Sequence, residues 1–427
     1  MKVPLILDPG EKKLAASGRR LPVPPLGLVV VMVAVTQGTM RMGLVPFFPE
    51  LRETFGVGNT EVGFLFSAFA LATLALQPLV AIVADRVGSR LLLSVAMSGL
   101  AVSALFFALA AAWEAAMAAR LAMGVCGAMT LPAVFKLISR EPPARQAGAF
   151  GAFEAGMGAA SLMALSVAPV FARWLDLQGS YYVFIGIGLL AVLLLNRSEA
   201  GRTPPRPGKQ AAADERPEPP RQSPYDNYGV PVRLVMLITM VSLAVLPIAG
   251  IMTWLPTYLQ DAVGYTIAQA GLLMGVLTTI SVPLAYLSGR WADGPASQLR
   301  ISKIGAALLL ISLLVLLLSA RPGPALLLLI AVLTGCGIPM TFTPMMVVAS
   351  QLFGPDRAGA AASTLTMTAQ MSTIAAGAAF GWLIDMTGTF ASVWLVGALC
   401  LLVRMAVIHL IGQRAVRPDA GADAPAA

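Results

Sequence analysis

The 427-residue sequence predicts an all-α membrane protein of twelve transmembrane helices in two pseudo-symmetric six-helix bundles. Three observations carry that prediction. The composition is 57% hydrophobic and 12% charged, with a mean hydropathy of +0.79, whereas soluble domains carry about 25% charged residues. Apolar runs of about 18 residues or more recur along the chain, each long enough to cross a hydrocarbon core about 30 Å thick. Six of these runs precede, and six follow, a polar stretch rich in proline and charge.

In chain order, residues 1–27 form a polar, basic tail. No short apolar core with a small-residue cleavage site follows it, so the first apolar run reads as a retained helix. Spans are expected at 28–50, 60–82, 91–112, 115–138, 146–172 and 179–196, which make a first bundle over 28–197. Between the second and third spans the chain reads PLVAIVADRVGSRLLL, Pro78 to Leu93, an apolar run interrupted by Asp85, Arg86 and Arg90. A charge at the centre of a membrane helix costs about 2.5–3.5 kcal/mol, so this is a tight turn at a membrane surface. Residues 198–232, dominated by proline and charge, are expected to be a disordered linker. Spans at 233–258, 266–289, 301–320, 324–348, 358–383 and 389–412 make the second bundle over 233–412, and 413–427 form a tail. Small-residue pairs such as Gly271-x-x-x-Gly275 and Gly377-x-x-x-Gly381 read as close-packing surfaces.

Lysine and arginine positions orient the chain. Of the 29 basic residues, Arg52, Arg173 and Arg321 fall in loops opposite the N-terminus, and Arg41 and Arg120 fall within spans. The others gather on the N-terminal side, which puts both termini and the linker in the cytoplasm and the chain in a bacterial inner membrane. The net charge of +8 is therefore topological, and a nucleic-acid partner is excluded in favour of the lipid bilayer. The halves also share sequence. At a shift of 208, Leu51, Gly56, Gly63 and Asp85 fall on Leu259, Gly264, Gly271 and Asp293, and the span ends WLDLQG and WLIDMTG match with a small slip.

Enzyme chemistry has no visible constellation. There is one histidine, no phosphate-binding loop and no cysteine–histidine cluster, so neither a cofactor nor a metal is expected. Cys126, Cys336 and Cys400 lie in separate apolar segments and read as small packing residues. Any energy for work would come from an ion gradient or from substrate exchange.

Ionisable groups inside spans are costly and mark function. Arg41 lies one turn beyond Gln37 on the first helix, so both point along one face. Arg120 is in the fourth span and Glu154 in the fifth. An arginine in a cavity can hold a carboxylate or phosphate bidentately, and a buried carboxylate can exchange protons near neutrality. Ser363, Thr366, Gln370, Thr373 and Gly377 form one polar stripe on the eleventh span, suited to a cavity. Arg404 and His409, near the inner end of the last span, are expected to anchor at the interface.

Six plus six spans, a central linker and the Asp85 loop resemble the major facilitator superfamily of secondary transporters. The family's loop reads Gly-x-x-x-Asp-Arg/Lys-x-Gly-Arg/Lys-Arg/Lys; here it is Ala81-x-x-x-Asp85-Arg86-Val87-Gly88-Ser89-Arg90, with Ala81 and Ser89 as departures. A degenerate copy is Gly289-x-x-x-Asp293-Gly294. The resemblance implies that Asp85, with Arg86, Gly88, Arg90 and Asp293, gates the inner side, Asp85 sitting by the start of the eleventh helix. It implies a coupling or substrate role for Arg120, from its Arg-x-x-x-Gly context, and puts the first, fourth, seventh, tenth and eleventh helices around the cavity. Trp254-Leu255-Pro256-Thr257-Tyr258-Leu259 is similar to a segment of anion and organic-acid permeases, and Gly43-Leu44-Val45-Pro46-Phe47-Phe48-Pro49 to one of drug:proton antiporters. The antiporter motif of the fifth helix is missing.

The expectation is an alternating-access permease for a small organic or inorganic anion with proton symport. Its substrate residues would be Gln37, Arg41, Arg120, Trp254, Tyr258 and Gln370, and Glu154 would carry the proton. The alternatives are a proton-driven efflux antiporter and a non-transporting membrane sensor or assembly factor.

Overall fold

The computed structural model describes residues 25–139, 143–198, 229–292, 295–319, 321–353 and 358–415. Asp293, most of the linker and most of both tails lie outside the described residues, as does the side chain of Asp85. The regular elements among the described residues are helices, in twelve long segments. These are α1 (Leu26–Phe55), α2 (Asn59–Arg86), α3 (Ser89–Ala108), α4 (Trp113–Ile138), α5 (Gly148–Ala172) and α6 (Trp174–Arg197). After the linker come α7 (Val230–Asp261), α8 (Ile267–Trp291), α9 (Pro295–Leu318), α10 (Pro324–Phe353), α11 (Ala358–Thr387) and α12 (Ala391–Ala415). Eleven of them are long and apolar enough to cross a membrane; α11, with its polar stripe, is of equal length. Several run a few residues past the expected spans, because backbone hydrogen bonding continues beyond the apolar core. Large apolar side chains such as Phe106, Leu318 and Met386 stand exposed, as lipid contact requires.

The two halves repeat the same packing. In the first, α1 lies on α5 and α6, α2 on α4, and α3 on α4 and α6; in the second, α7 lies on α11 and α12, α8 on α10, and α9 on α10 and α12. Two seams join the halves, α2 against α11 and α5 against α8, themselves an equivalent pair. The turn chemistry repeats too. Gly56 after α1 and Gly264 after α7, 208 residues apart, both take left-handed backbone at φ 63° and 84°, where a side chain would be strained. After α11 the turn uses Gly388 at φ 67°, whereas at the equivalent α5–α6 corner Asp176, at φ 43°, kinks the first turn of α6.

Alternation of the spans places residues 26, 197, 230 and 415 at one end of the molecule, here called proximal, and the α1–α2, α5–α6, α7–α8 and α11–α12 turns at the other, distal end.

Candidate functional site

The site is built on a break in α1. The first span is not one uniform helix, as expected, but α-helix to Met42, a 3₁₀ turn at Val45–Phe47, and a short helix Phe48–Phe55. Pro46 has no N–H and its ring collides with the preceding turn, so the helical ladder cannot pass through it. The last carbonyls of Leu26–Met42 then need partners from elsewhere. Arg120 of α4 supplies them: Nη1 donates to the Met40 carbonyl at 2.6 Å, Nη2 to that of Arg41 at 3.2 Å, and Nε to that of Leu65 on α2 at 3.2 Å. Its side chain is 0% exposed, with Phe69 and Phe107 against the guanidinium at 5.4 and 5.9 Å. Arg120 thus lies inside the first bundle rather than facing the other half.

Arg41 turns the other way. Its Nη2 reaches Thr373 Oγ1 of α11 at 3.5 Å, across the boundary between the halves, and its Nε is buried without a partner. Among the described residues no acid pairs with it; the ion pair found there is Arg52 with Asp261. Gln37 lies one turn proximal, its amide nitrogen 3.4 Å from the Gly127 carbonyl of α4. Gln370, half-buried, lies one turn proximal of Thr373. Because α1 and α11 run in the same direction, the two glutamines stand at similar depth, about 5–6 Å below the Arg41–Thr373 contact. Gln37 and Arg41 thus lie one turn apart on α1, and Gln370 and Thr373 one turn apart on α11, with Arg41 and Thr373 in contact across the boundary.

The remaining expected residues lie apart from these four. Trp254 is 0% exposed, donates its indole N–H to the Ala376 carbonyl at 2.8 Å, and packs edge-on against Phe48 at 5.2 Å, a roof on the distal side. Tyr258 packs between Phe390 and Trp394, its hydroxyl 3.5 Å from the Ser319 carbonyl, within the second bundle. Glu154 is exposed on the α5 face that carries Gly158, whose position meets Val282 of α8. Gly156, two residues on, packs on Val31 and Ala34, which sets Glu154 about 14–18 Å proximal of Arg41.

Of the expected gating residues, Arg90 donates to the carbonyls of Asn196 and Ser198 at the end of α6, Gly88 precedes α3 as its N-cap, and Arg86 is exposed. Arg404, expected at the interface, is 0% exposed: it donates to Ser302 Oγ at 2.7 Å and to the carbonyls of Thr341 and Met240 at 3.3 and 3.4 Å. It buries because α12 packs on α7 and α9, and groups of α7, α9 and α10 offer it partners in place of water.

Sequence reasoning missed the distal closure. Arg52 of α1 pairs with Asp261 of α7 at 2.5 Å, and the Gln260 amide donates to the Pro46 carbonyl at 2.9 Å. Asp385 of α11 accepts from the backbone and side chains of Asn59 and Thr60 on α2. Gly271 and Gly275 of α8 sit against Ser166 in the π-helical turn Met163–Val167 that continues α5. These contacts hold the halves together at and distal to Arg41.

A family model described as the Major Facilitator Superfamily matches residues 30–377. Among curated proteins, the quinolone resistance protein NorA of Staphylococcus aureus (strain MRSA252) is 26% identical over 157 residues, 36% of this chain and 40% of the relative. The chain thus spans about two fifths of that relative's length. The hexuronate transporter of Bacillus subtilis (strain 168) is 23% identical over 403 residues, covering 91% of this chain and 94% of the relative. A bacterial homolog of the human lysosomal transporter Spinster, in an inward-facing and occupied conformation, superposes with a TM-score of 0.71 at 14% identity, covering 91% of this chain and 96% of that one. The nucleoside transporter NupG does so with 0.68 at 18%, covering 91% and 99%. At these identities the structural likeness shows the fold.

Proposed function

This chain belongs to the Major Facilitator Superfamily and is a multi-pass membrane transporter, and from that premise we propose that it carries a small anion by alternating access, with proton symport, across a bacterial inner membrane. The observation that carries this is Arg41. A guanidinium at the boundary between two moving halves, with one long hydrogen bond and no carboxylate partner among the described residues, is an unfinished ion pair. An anion at about 4 Å completes it, an attraction of about 4 kcal/mol at an effective dielectric constant of about 20 before the anion's own desolvation. Gln37 and Gln370 offer amides below it, so a ligand bound to Arg41 touches both halves and senses their relative position. The end-to-end similarity to a hexuronate transporter supports an organic acid as that ligand.

In this proposal the proximal face is cytoplasmic, following the basic residues, and the distal contacts close the outside. The two bundles rock as units over 28–197 and 233–412. Asp85 and Asp293, with Arg86, Gly88 and Arg90, close the inside in the opposite state; Arg90 does so by fixing the loop to the end of α6. Glu154 takes the proton at the proximal opening, well away from the anion. Trp254 closes the site above the substrate. Tyr258 stiffens the helix that carries Trp254, and Arg120 stabilises the first bundle by answering the carbonyls that the break in α1 leaves open.

Titration of the purified protein with D-glucuronate, inorganic phosphate and norfloxacin tests this. One of the two anions binds, and Arg41→Lys weakens it roughly tenfold to a hundredfold, the loss of one charge-assisted hydrogen bond of a bidentate pair. The quinolone resistance relative and the helix 1 ending favour a second reading, efflux of amphipathic compounds. Norfloxacin binding that ignores Arg41→Lys, with neither anion binding, would establish it instead.

A further inference from the structure

Helix α2 begins without a cap of its own. Its N-cap is Gly58, which has no side-chain oxygen to accept the first free N–H groups. Glu61 turns back to the Gly58 N–H at 2.9 Å, leaving the N–H groups of Asn59 and Thr60 open. Both are taken by a residue of the other half: Asp385 Oδ1 accepts from Asn59 N at 3.1 Å and Nδ2 at 2.8 Å, and Oδ2 from Thr60 N at 2.7 Å and Oγ1 at 2.6 Å. A carboxylate on a helix N-terminus also meets the positive end of the helix dipole.

The sequence repeat offers an internal comparison. The helix equivalent to α2 is α8, and it caps itself: Gln269 N donates to Thr266 Oγ1 at 3.3 Å and Thr266 N to Gln269 Oε1 at 2.9 Å. The residue equivalent to Asp385 is Asp176, in WLDLQG against WLIDMTG. Asp176 accepts from Gly179 N at 2.7 Å in its own turn. Of two equivalent seams, one has a self-sufficient helix and a carboxylate folded on itself. The other has an uncapped helix and a carboxylate that crosses the interface to serve it.

We propose that Asp385 is a gating residue, a latch that closes the distal side by capping α2 from the opposite half. The proposal rests on alternating access. Opening the distal side pulls α11 from α2, breaks four hydrogen bonds at once, and uncovers the N–H groups of Asn59 and Thr60, for which the N-cap Gly58 has no side-chain acceptor. Among the described residues the seam beneath adds no ion pair: Ser67 Oγ donates to the Ile374 carbonyl at 2.8 Å, and Gly63, Gly377 and Gly381 bring the helices close. The latch thus sets the balance between the two states without touching the substrate.

The test uses the full chain with Cys126, Cys336 and Cys400 replaced, and a single reporter cysteine. Ser67→Cys reports distal opening, since Ser67 is 2% exposed in the seam; Thr366→Cys on the proximal part of α11 reports proximal opening. Labelling rates by a membrane-impermeant thiol reagent are read from each side. Asp385→Ala is expected to speed labelling at position 67 about tenfold and to slow it at 366, while Asp176→Ala changes neither. Gly58→Ser added to Asp385→Ala gives α2 its own cap and restores thermal stability, but labelling at 67 stays fast. Unchanged rates in Asp385→Ala would overturn the latch. So would a rise at both positions, which marks loosened structure, and so would a return to slow labelling with Gly58→Ser, which marks simple helix capping. If labelling at 67 and 366 never moves in opposite directions in any variant, alternating access itself fails, a different result from failure of the latch alone.

Discussion

Arg41 and Arg120 have the same side chain and sit in neighbouring helices, yet the structure gives them opposite situations. Arg120 spends its donors on three backbone carbonyls; Arg41 has one long contact and an unpartnered Nε. The difference follows from α1. Its break exposes carbonyls to one side and throws the Arg41 side chain to the other. Arg120→Lys cannot span three carbonyls from one ammonium, so at least one buried carbonyl loses its donor, at a cost of about 1–3 kcal/mol. The expected outcome is a lower unfolding temperature with anion affinity within about twofold of wild type, both read by calorimetry. Normal stability with lost affinity would instead put Arg120 on the substrate. The sequence marked both arginines as candidates because each is an ionisable group in a span. What separates them is a proline five residues beyond Arg41, and the sequence does not say which neighbouring helix answers the break it makes.

At the level of elements, the α2–α11 seam is the tightest feature of the interface. A Cβ on Gly63 would stand 2.2 Å from the Gly377 carbonyl oxygen, and one on Gly381 would stand 2.3 Å from that of Asn59. Backbone cannot yield as a flexible side chain can, so Gly63→Ala or Gly381→Ala forces the helices apart at the distal end. Spin labels at the exposed positions Thr54 and Thr389, one in each half, are expected to show a longer distance in either variant, with the protein still folded. An unchanged distance would mean that the seam does not hold the distal side. The glycine pair on α11 was legible as a packing surface, but its partner was not. Periodicity tells which residues share a face and leaves open what that face meets. Asp385 was visible only as half of a repeated motif; its role required Gly58, hundreds of residues away, to lack a cap.

For the molecule as a whole, hydropathy, charge bias and the 208-residue repeat made the fold legible, down to span positions within a few residues. They work because the bilayer leaves few solutions for an apolar chain. The candidate site was half legible. Arg41 meets Thr373 across the boundary, with Gln37 and Gln370 one turn proximal on the same two helices, whereas Trp254 and Tyr258 are packed away in the distal wall and the second bundle. Glu154 stands about 14–18 Å proximal of Arg41 along the helix axes, so the proposed proton and anion sites are separate. Glu154→Gln is therefore expected to leave anion affinity intact and to abolish accumulation driven by a proton gradient. Normal gradient-driven uptake by this variant would remove Glu154 from coupling.

The central claim, that an anion crosses the membrane on Arg41, is tested most directly by counterflow in proteoliposomes preloaded with unlabelled D-glucuronate and diluted into a trace of the labelled compound, with no ion gradient imposed. Wild type and Glu154→Gln are predicted to take up label transiently, and Arg41→Lys to take up at least tenfold less at the same concentration. Equal counterflow by wild type and Arg41→Lys would contradict the claim.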